Sequence, residues 1–281
     1  MPFRLSDNLV KRIVSALSLL PIVLGLIYLG GWWFYALLAL GGALMILEWL
    51  SMMAVQSFII RTIAIASVLA MPLPLYFVSL SSENIVSFVA GLIMIFSGVL
   101  IFISPDKLST AKDNKLSIVM MIAGIAYVSL ALVSMAWLRQ LDSHGFLVIW
   151  LFFAVWAMDV GGYFAGKGIG GPKLAPTLSP KKTWAGLIGG MVLSALVSGL
   201  LAIAFSFGNP ALFAGAGAMI AVIAQIGDLY ESALKRKLNL KDSGTLIPGH
   251  GGILDRVDGL IFAAPFTAAV LAVMIYIPKA G

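Results

Sequence analysis

The stretch Trp184–Phe207, WAGLIGGMVLSALVSGLLAIAFSF, carries no charged side chain over 24 residues. A bilayer core takes roughly 20 apolar residues as a helix, so this segment alone predicts a membrane span. Eight comparable stretches flank it, at 11–30, 33–54, 59–80, 85–103, 116–138, 146–165, 211–231 and 259–277. Together they predict an all-α, polytopic integral membrane helical bundle of about nine transmembrane helices. A composition 61% hydrophobic and 11% charged, with a mean hydropathy of +1.05, excludes an ordinary soluble domain. The first stretch follows Arg4, Lys11 and Arg12, as the apolar region of a signal peptide would. It is too long for one and lacks a small-residue cleavage site, so a retained helix is expected.

Working outward from 184–207, the basic residues fix an orientation. With a cytoplasmic N-terminus, the loops near 55–60, 104–115, 166–183 and 232–258 lie inside. These, the N-terminal tail and Arg61 hold every Lys and Arg except Arg139 and Lys279. That asymmetry obeys the positive-inside rule and supports an odd number of spans. Residues 1–141 read as N-terminal transmembrane helices, with Pro72 and Pro74 predicting a kink or early end in the third. Residues 142–281 read as a C-terminal transmembrane catalytic region carrying the two long cytoplasmic loops, 166–183 and 232–258. Loops of that length within a bundle are commonly functional, and their glycines and prolines argue against long helices there.

The absence of cysteine excludes disulfides, thiolate ligands and a cysteine nucleophile. His144 and His250 are the only histidines, which disfavours a histidine-built zinc site. A metal here is expected to be hard and carboxylate-bound, which favours Mg²⁺.

Chemistry concentrates in Ser232–Gly259, SALKRKLNLKDSGTLIPGHGGILDRVDG, and in the helix before it. Gln225, Asp228, Ser232 and Lys235 follow a 3, 4, 3 spacing that puts them on one helical face. Asp255 and Asp258 flank Arg256 at the start of the last span. Carboxylates converging beside a basic, glycine-lined loop suit phosphoryl or nucleotidyl transfer, in which they hold Mg²⁺ and Lys and Arg bind the remaining phosphate oxygens. Gly244, Gly249, Gly251 and Gly252 would let backbone N–H groups approach an anion. His250 is a phosphate ligand, a proton shuttle or a brace for the loop. The earlier loop adds Lys167, Lys173, Lys181 and Lys182, which serve substrate, topology or anionic lipid alike. Its G-x-G-x-x-G at Gly166, Gly168 and Gly171 has no preceding strand and fails as a dinucleotide motif. Gly186 and Gly190 form a G-x-x-x-G of the kind that packs membrane helices. Glu48 and Asp159 also lie in apolar spans and should face the bundle interior or a wet cavity. For Glu48, pairing with a neighbouring helix or snorkelling to the interface serves as well as function.

The run S-A-L-K-R, five residues, then D-S-G-x-L-I-P-G-H-G-G-I-L-D-R-V-D, from Ser232 to Asp258, resembles the signature of the phosphatidate cytidylyltransferases (CDP-diacylglycerol synthases). Gly227-Asp228-Leu229, the run Leu178–Trp184, and Asp159 with Tyr163 and Gly166 are similar to that family as well. The resemblance implies a dimeric, multi-pass enzyme of a bacterial inner (cell) membrane, with its active site on the cytoplasmic side. It would condense CTP with phosphatidic acid to CDP-diacylglycerol and pyrophosphate, among membrane lipids and without nucleic acid. It implies Mg²⁺ and leaves room for a second, monovalent cation such as K⁺. Carried over, Asp228, Asp255 and Asp258 become metal ligands and, with Lys235, Arg236 and His250, the catalytic set. Lys241, Arg256, Ser232, Lys181, Lys182 and Asp159 become substrate-binding candidates. Ala185 departs from the family's usual glutamate. A cation-coupled transporter using Glu48, Asp159 and Asp228 is the rival reading; it would place its acids near the midplane on related repeats, and no repeat is visible.

Overall fold

A computed structural model of the chain describes residues 20–77, 114–206, 208–244 and 251–276. Helix α1 covers Leu20–Leu29 and α2 Gly31–Met52. The third expected span is divided into α3 (Phe58–Ala70) and α4 (Leu73–Phe77), separated by a turn at Met71 and Pro72. The break falls where the prolines predict it. Then come α5 (Asn114–Gln140), α6 (Phe146–Gly168), the strands β1 (Lys173–Ala175) and β2 (Ser179–Thr183), α7 (Trp184–Ala204), α8 (Pro210–Lys237) and α9 (Leu254–Tyr276). Seven helical stretches among the described residues are long and apolar enough to cross a membrane, as in a polytopic helical membrane protein. The expected span at 85–103 lies outside the described residues, as do residues 11–19 of the first.

The loops at 166–183 and 232–258 differ from expectation. Helix α8 runs on to Lys237 and α9 begins at Leu254, so both flanks of the second loop are helical. The first closes into an antiparallel hairpin that pairs Lys173 with Thr183 and Ala175 with Ser179. Hydropathy marks where lipid ends, whereas a helix continues as long as its backbone bonds and packing hold.

Helices α6, α7, α8 and α9 pack in sequence, and α5 joins α9 to α2 and α3. The α6–α7 contact is built on glycines. A Cβ on Gly161 would lie 2.5 Å from the Gly189 carbonyl oxygen, and one on Gly190 2.8 Å from that of Met158. The small-residue motif therefore brings two backbones of the same chain together. Trp49 locks α2 to α5, its Nε1 donating to the Met120 carbonyl at 2.9 Å with its ring against Tyr127.

On the side away from the hairpin, Arg139 donates to the carbonyls of Ile27 (2.8 Å), Tyr28 (3.2 Å), Asp142 (2.9 Å) and Ser143 (3.1 Å). Asp142 in turn accepts from the backbone N–H groups of His144, Phe146 and Leu147 at the start of α6. An arginine that breaks the charge asymmetry thus has a structural task, capping the end of α1.

Candidate active site

The site begins with the face of α8 that the 3, 4, 3 spacing predicts. Asp228, near the middle of the helix's polar stripe, forms an ion pair with Lys182 at the end of the hairpin, and Ser232 Oγ stands 3.4 Å from its Oδ1. One turn on, Lys235 Nζ donates to Asp255 Oδ1 at 2.6 Å and lies 3.2 Å from Glu231 Oε1. The stripe thereby joins the hairpin on one side to α9 on the other.

Glycines set how close α8 and α9 come. A Cβ on Gly227 would sit 2.6 Å from the Asp258 carbonyl oxygen, and one on Gly259 3.2 Å from Ala224 Cβ. Each glycine adjoins an aspartate, so the two backbones come close where Asp228 and Asp258 stand. The charge of Asp258 accordingly interacts with those of Asp228, Glu231 and Asp159. Asp159, on α6, also interacts with Lys182 and Arg256. Between α6, the hairpin, α7 and α8 lies a cleft of about 190 Å³, lined by Asp159, Tyr163, Lys181, Lys182, Gln225 and Asp228 among others.

Asp255 is held firmly. Its Oδ2 accepts the backbone N–H groups of Ser243 (2.9 Å) and Gly252 (3.0 Å) while its Oδ1 takes Lys235. Beside it lies a residue whose part in this region was not legible in the sequence. Glu48 of α2, only 4% exposed, accepts from Ile253 N on Oε1 (2.9 Å) and from Leu254 N (2.9 Å) and Ser243 Oγ (3.2 Å) on Oε2. Of the two bland readings, pairing with a neighbouring helix is the one that its buried contacts match. With its oxygens on the start of α9, Glu48 has no place in a transporter's ion path. A signal was present: Gly251-Gly252-Ile253 offers no capping side chain before Leu254, so a buried helix start had to find an acceptor elsewhere.

The same geometry revises the role of the loop glycines. A Cβ on Gly252 would meet Ser243 Oγ and lie 2.6 Å from Glu48 Oε2, and one on Gly244 would lie 2.8 Å from Glu48 Oε1. The anions they admit are the protein's own carboxylates. Gly249 and His250 lie outside the described residues.

The other candidates are spread out. Arg256 is exposed on the first turn of α9, near Asp159 in charge. Arg236 turns to its own helix end, where Nη1 donates to the Leu240 carbonyl at 3.3 Å. Lys241 is exposed on the turn after α8, and Lys181 lines the cleft.

Among the described residues, no three acidic or histidine side chains form a ready-made metal cage. The donor chemistry nevertheless fits a hard divalent ion. Among the described residues, the five acids Asp159, Asp228, Glu231, Asp255 and Asp258 outnumber the four cations near them, Lys181, Lys182, Lys235 and Arg256. Buried Glu231 has its Oε1 3.2 Å from the Lys235 ammonium, which it shares with Asp255. Mg²⁺ commonly takes one or two carboxylates and completes its shell with water and substrate phosphates, which demands no closed cage.

Long apolar helices with carboxylates and lysines collected toward one end define a multi-pass membrane protein carrying a cluster of charged side chains. The cytidylyltransferase family matches residues 10–274, and the chain belongs to that family. It is similar to the phosphatidate cytidylyltransferase of Brucella suis biovar 1 (strain 1330), 46% identical over 147 residues, which cover 50% of this chain and 53% of that protein. The protein of that name from Rickettsia bellii (strain RML369-C) is 38% identical over 156 residues, covering 53% and 68%. That from Bacillus subtilis (strain 168) is 40% identical over 139 residues, covering 48% and 51%. The aligned stretch thus spans about half the length of the first of these relatives.

Proposed function

We propose that this protein condenses CTP with phosphatidic acid to give CDP-diacylglycerol and pyrophosphate, on the cytoplasmic side of a bacterial inner membrane. The observation that carries the reading is the meeting of Asp228, Lys182, Lys235, Asp255 and Asp258, drawn from three separate segments, within a chain of the cytidylyltransferase family. The apolar outer walls of α6 and α7 would keep acyl chains in lipid while the headgroup reaches the cleft.

In this reaction a phosphatidate phosphate oxygen attacks the α-phosphorus of CTP. A new P–O bond forms as the α–β bridging P–O bond breaks, and pyrophosphate leaves with the bonding pair. The nucleophile is anionic at neutral pH, so no strong general base is required. Lys182 exchanges Asp228 for phosphate oxygens, Lys235 gives a further N–H to a phosphate oxygen while staying on Asp255, and Arg256 offers a planar fork to another. Lys181, Lys241, Arg236 and His250 supply outer phosphate contacts, and Ser232 and Asp159 orient the groups in the cleft. Mg²⁺, held by Asp228 and Asp258 with Asp255 beside them, would neutralise charge on the nucleotide phosphates and the leaving group. Asp255, already holding three donors, also serves to keep Lys235 in place.

The test is turnover of labelled CTP with phosphatidate by the purified protein, with and without Mg²⁺. Mg²⁺-dependent formation of labelled CDP-diacylglycerol is expected, and Asp228→Asn should abolish it while the protein still purifies folded. Normal turnover by that variant refutes the site, and no product from the wild-type protein refutes the reaction. A homodimer and a monovalent cation belong to the same proposal; light scattering and a comparison of K⁺ with Na⁺ buffers test them.

A further inference from the structure

We propose that Glu48 is a positioning residue for the reaction, holding the start of α9 and the 243–244 turn where Asp255, Arg256 and Asp258 must stand. It deepens the functional reading above and rests on it for its kinetic arm alone.

The argument starts from the backbone. The first N–H groups of a helix have no partner within it, and at a buried helix start they need an acceptor. At the start of α9, Gly252 N is taken by Asp255, while Ile253 N and Leu254 N are taken by Glu48. Ser243 completes the arrangement, its N–H on Asp255 and its Oγ on Glu48. The carboxylate of α2 therefore ties together the turn after α8 and the first residues of α9. Four residues later comes Asp258, and Asp255 is itself pinned by the same turn. Glu48 touches no group assigned to substrate, so its effect must pass through these aspartates.

Carboxylate chemistry, and not shape alone, is required. Both oxygens face donors, three in all. A glutamine at this position keeps the outline but must aim its own N–H₂ at one of those sets, leaving donor against donor. Room for a compensating shift is small, because a Cβ on either Gly244 or Gly252 would already lie within 2.8 Å of the Glu48 carboxylate. The neighbouring residue Trp49 provides a contrast. It fixes the same helix to α5, its Nε1 donating to the Met120 carbonyl.

The experiment compares Glu48→Gln, Ser243→Ala and Trp49→Phe with the wild type by amide hydrogen exchange over 243–256 and by kcat and KM for CTP and phosphatidate. Losing an outer residue that orients the ligands of a site commonly costs about 10- to 100-fold in affinity or activity. Glu48→Gln should lower kcat by that factor with both KM values little changed, and should speed exchange over 251–256. Ser243→Ala should do both more mildly. Trp49→Phe should lower the melting temperature while leaving kcat per folded molecule and exchange over 251–256 near wild type. Wild-type exchange and kcat in Glu48→Gln, or a kcat loss no larger than in Trp49→Phe, overturns the proposal. If Glu48→Gln fails to fold, Ser243→Ala decides on the same criteria. If the wild-type protein does not turn over CTP, the reaction fails. The exchange arm, run without nucleotide or metal, then decides on its own whether Glu48 holds the start of α9.

Discussion

Replacing Gly227 with alanine adds one methyl group at a close approach of α8 and α9. That carbon would lie 2.6 Å from the Asp258 carbonyl oxygen and 3.0 Å from Phe262 Cδ2, where ordinary contact begins at 3.4 Å. The obstacle at 2.6 Å is backbone, so no side chain can swing away, and the helices must separate locally by about 0.8 Å. Overpacking of this kind costs about 1–3 kcal/mol. Alanine returns about 1 kcal/mol in helix propensity, so the net stability change should be modest. The separation, however, falls between Asp228 and Asp258. A misplacement near 1 Å can cost on the order of 100-fold in rate. Turnover of labelled CTP and thermal unfolding should therefore come apart, with activity down by about two orders of magnitude and the melting temperature down by only a few degrees. Wild-type turnover in Gly227→Ala would refute the claim that these two aspartates act as a pair at that spacing.

Three further outcomes follow from the same geometry. Arg139→Ala removes donors from four carbonyls on the side opposite the site, and should cost on the order of 2–3 kcal/mol while leaving turnover per folded molecule unchanged. Thr183→Ala removes the side-chain cap that accepts Gly186 N at 3.0 Å; about 1 kcal/mol of stability should be lost, together with activity, since the adjoining Lys182 pairs with Asp228. Because the chain has no cysteine, Asp242→Cys and Ser143→Cys can be labelled singly in intact vesicles. Position 242 should react from the cytoplasmic side and position 143 from the other, and labelling of both from one side would overturn the topology.

The fold was largely legible because uninterrupted apolar length leaves a chain little choice but to cross the bilayer as helix. The ends of helices were not, because hydropathy set the loop at 232–258, although the spacing of Lys235 already placed it on a helical face and the backbone stays helical to Lys237 and again from Leu254. The polar face of α8 could be seen in its spacing. Of its partners, Asp255 was expected to converge on it, whereas the pairing of Lys182 with Asp228 across 46 residues was not. Gly227 and Gly259 carried a readable hint, each standing beside an aspartate. Glu48 had the least chance of assignment, since it meets Ile253 and Leu254 across more than 200 positions. The glycines near 244–252 were recognised as anion-accommodating, yet those that are described face internal carboxylates rather than substrate.

The glycine seam between α6 and α7 has a mechanical consequence. Where two backbones lie this close, with only small groups such as the Cβ atoms of Ala165 and Leu193 beside them, a roll or slide of one against the other meets atoms at once. Asp159 on one helix and the threonine-capped start of the other must therefore travel as a single plate. Any widening of the cleft to admit a bulky headgroup has to come from the hairpin or from α8, across whose boundary the Lys182–Asp228 pair is the bond that must part.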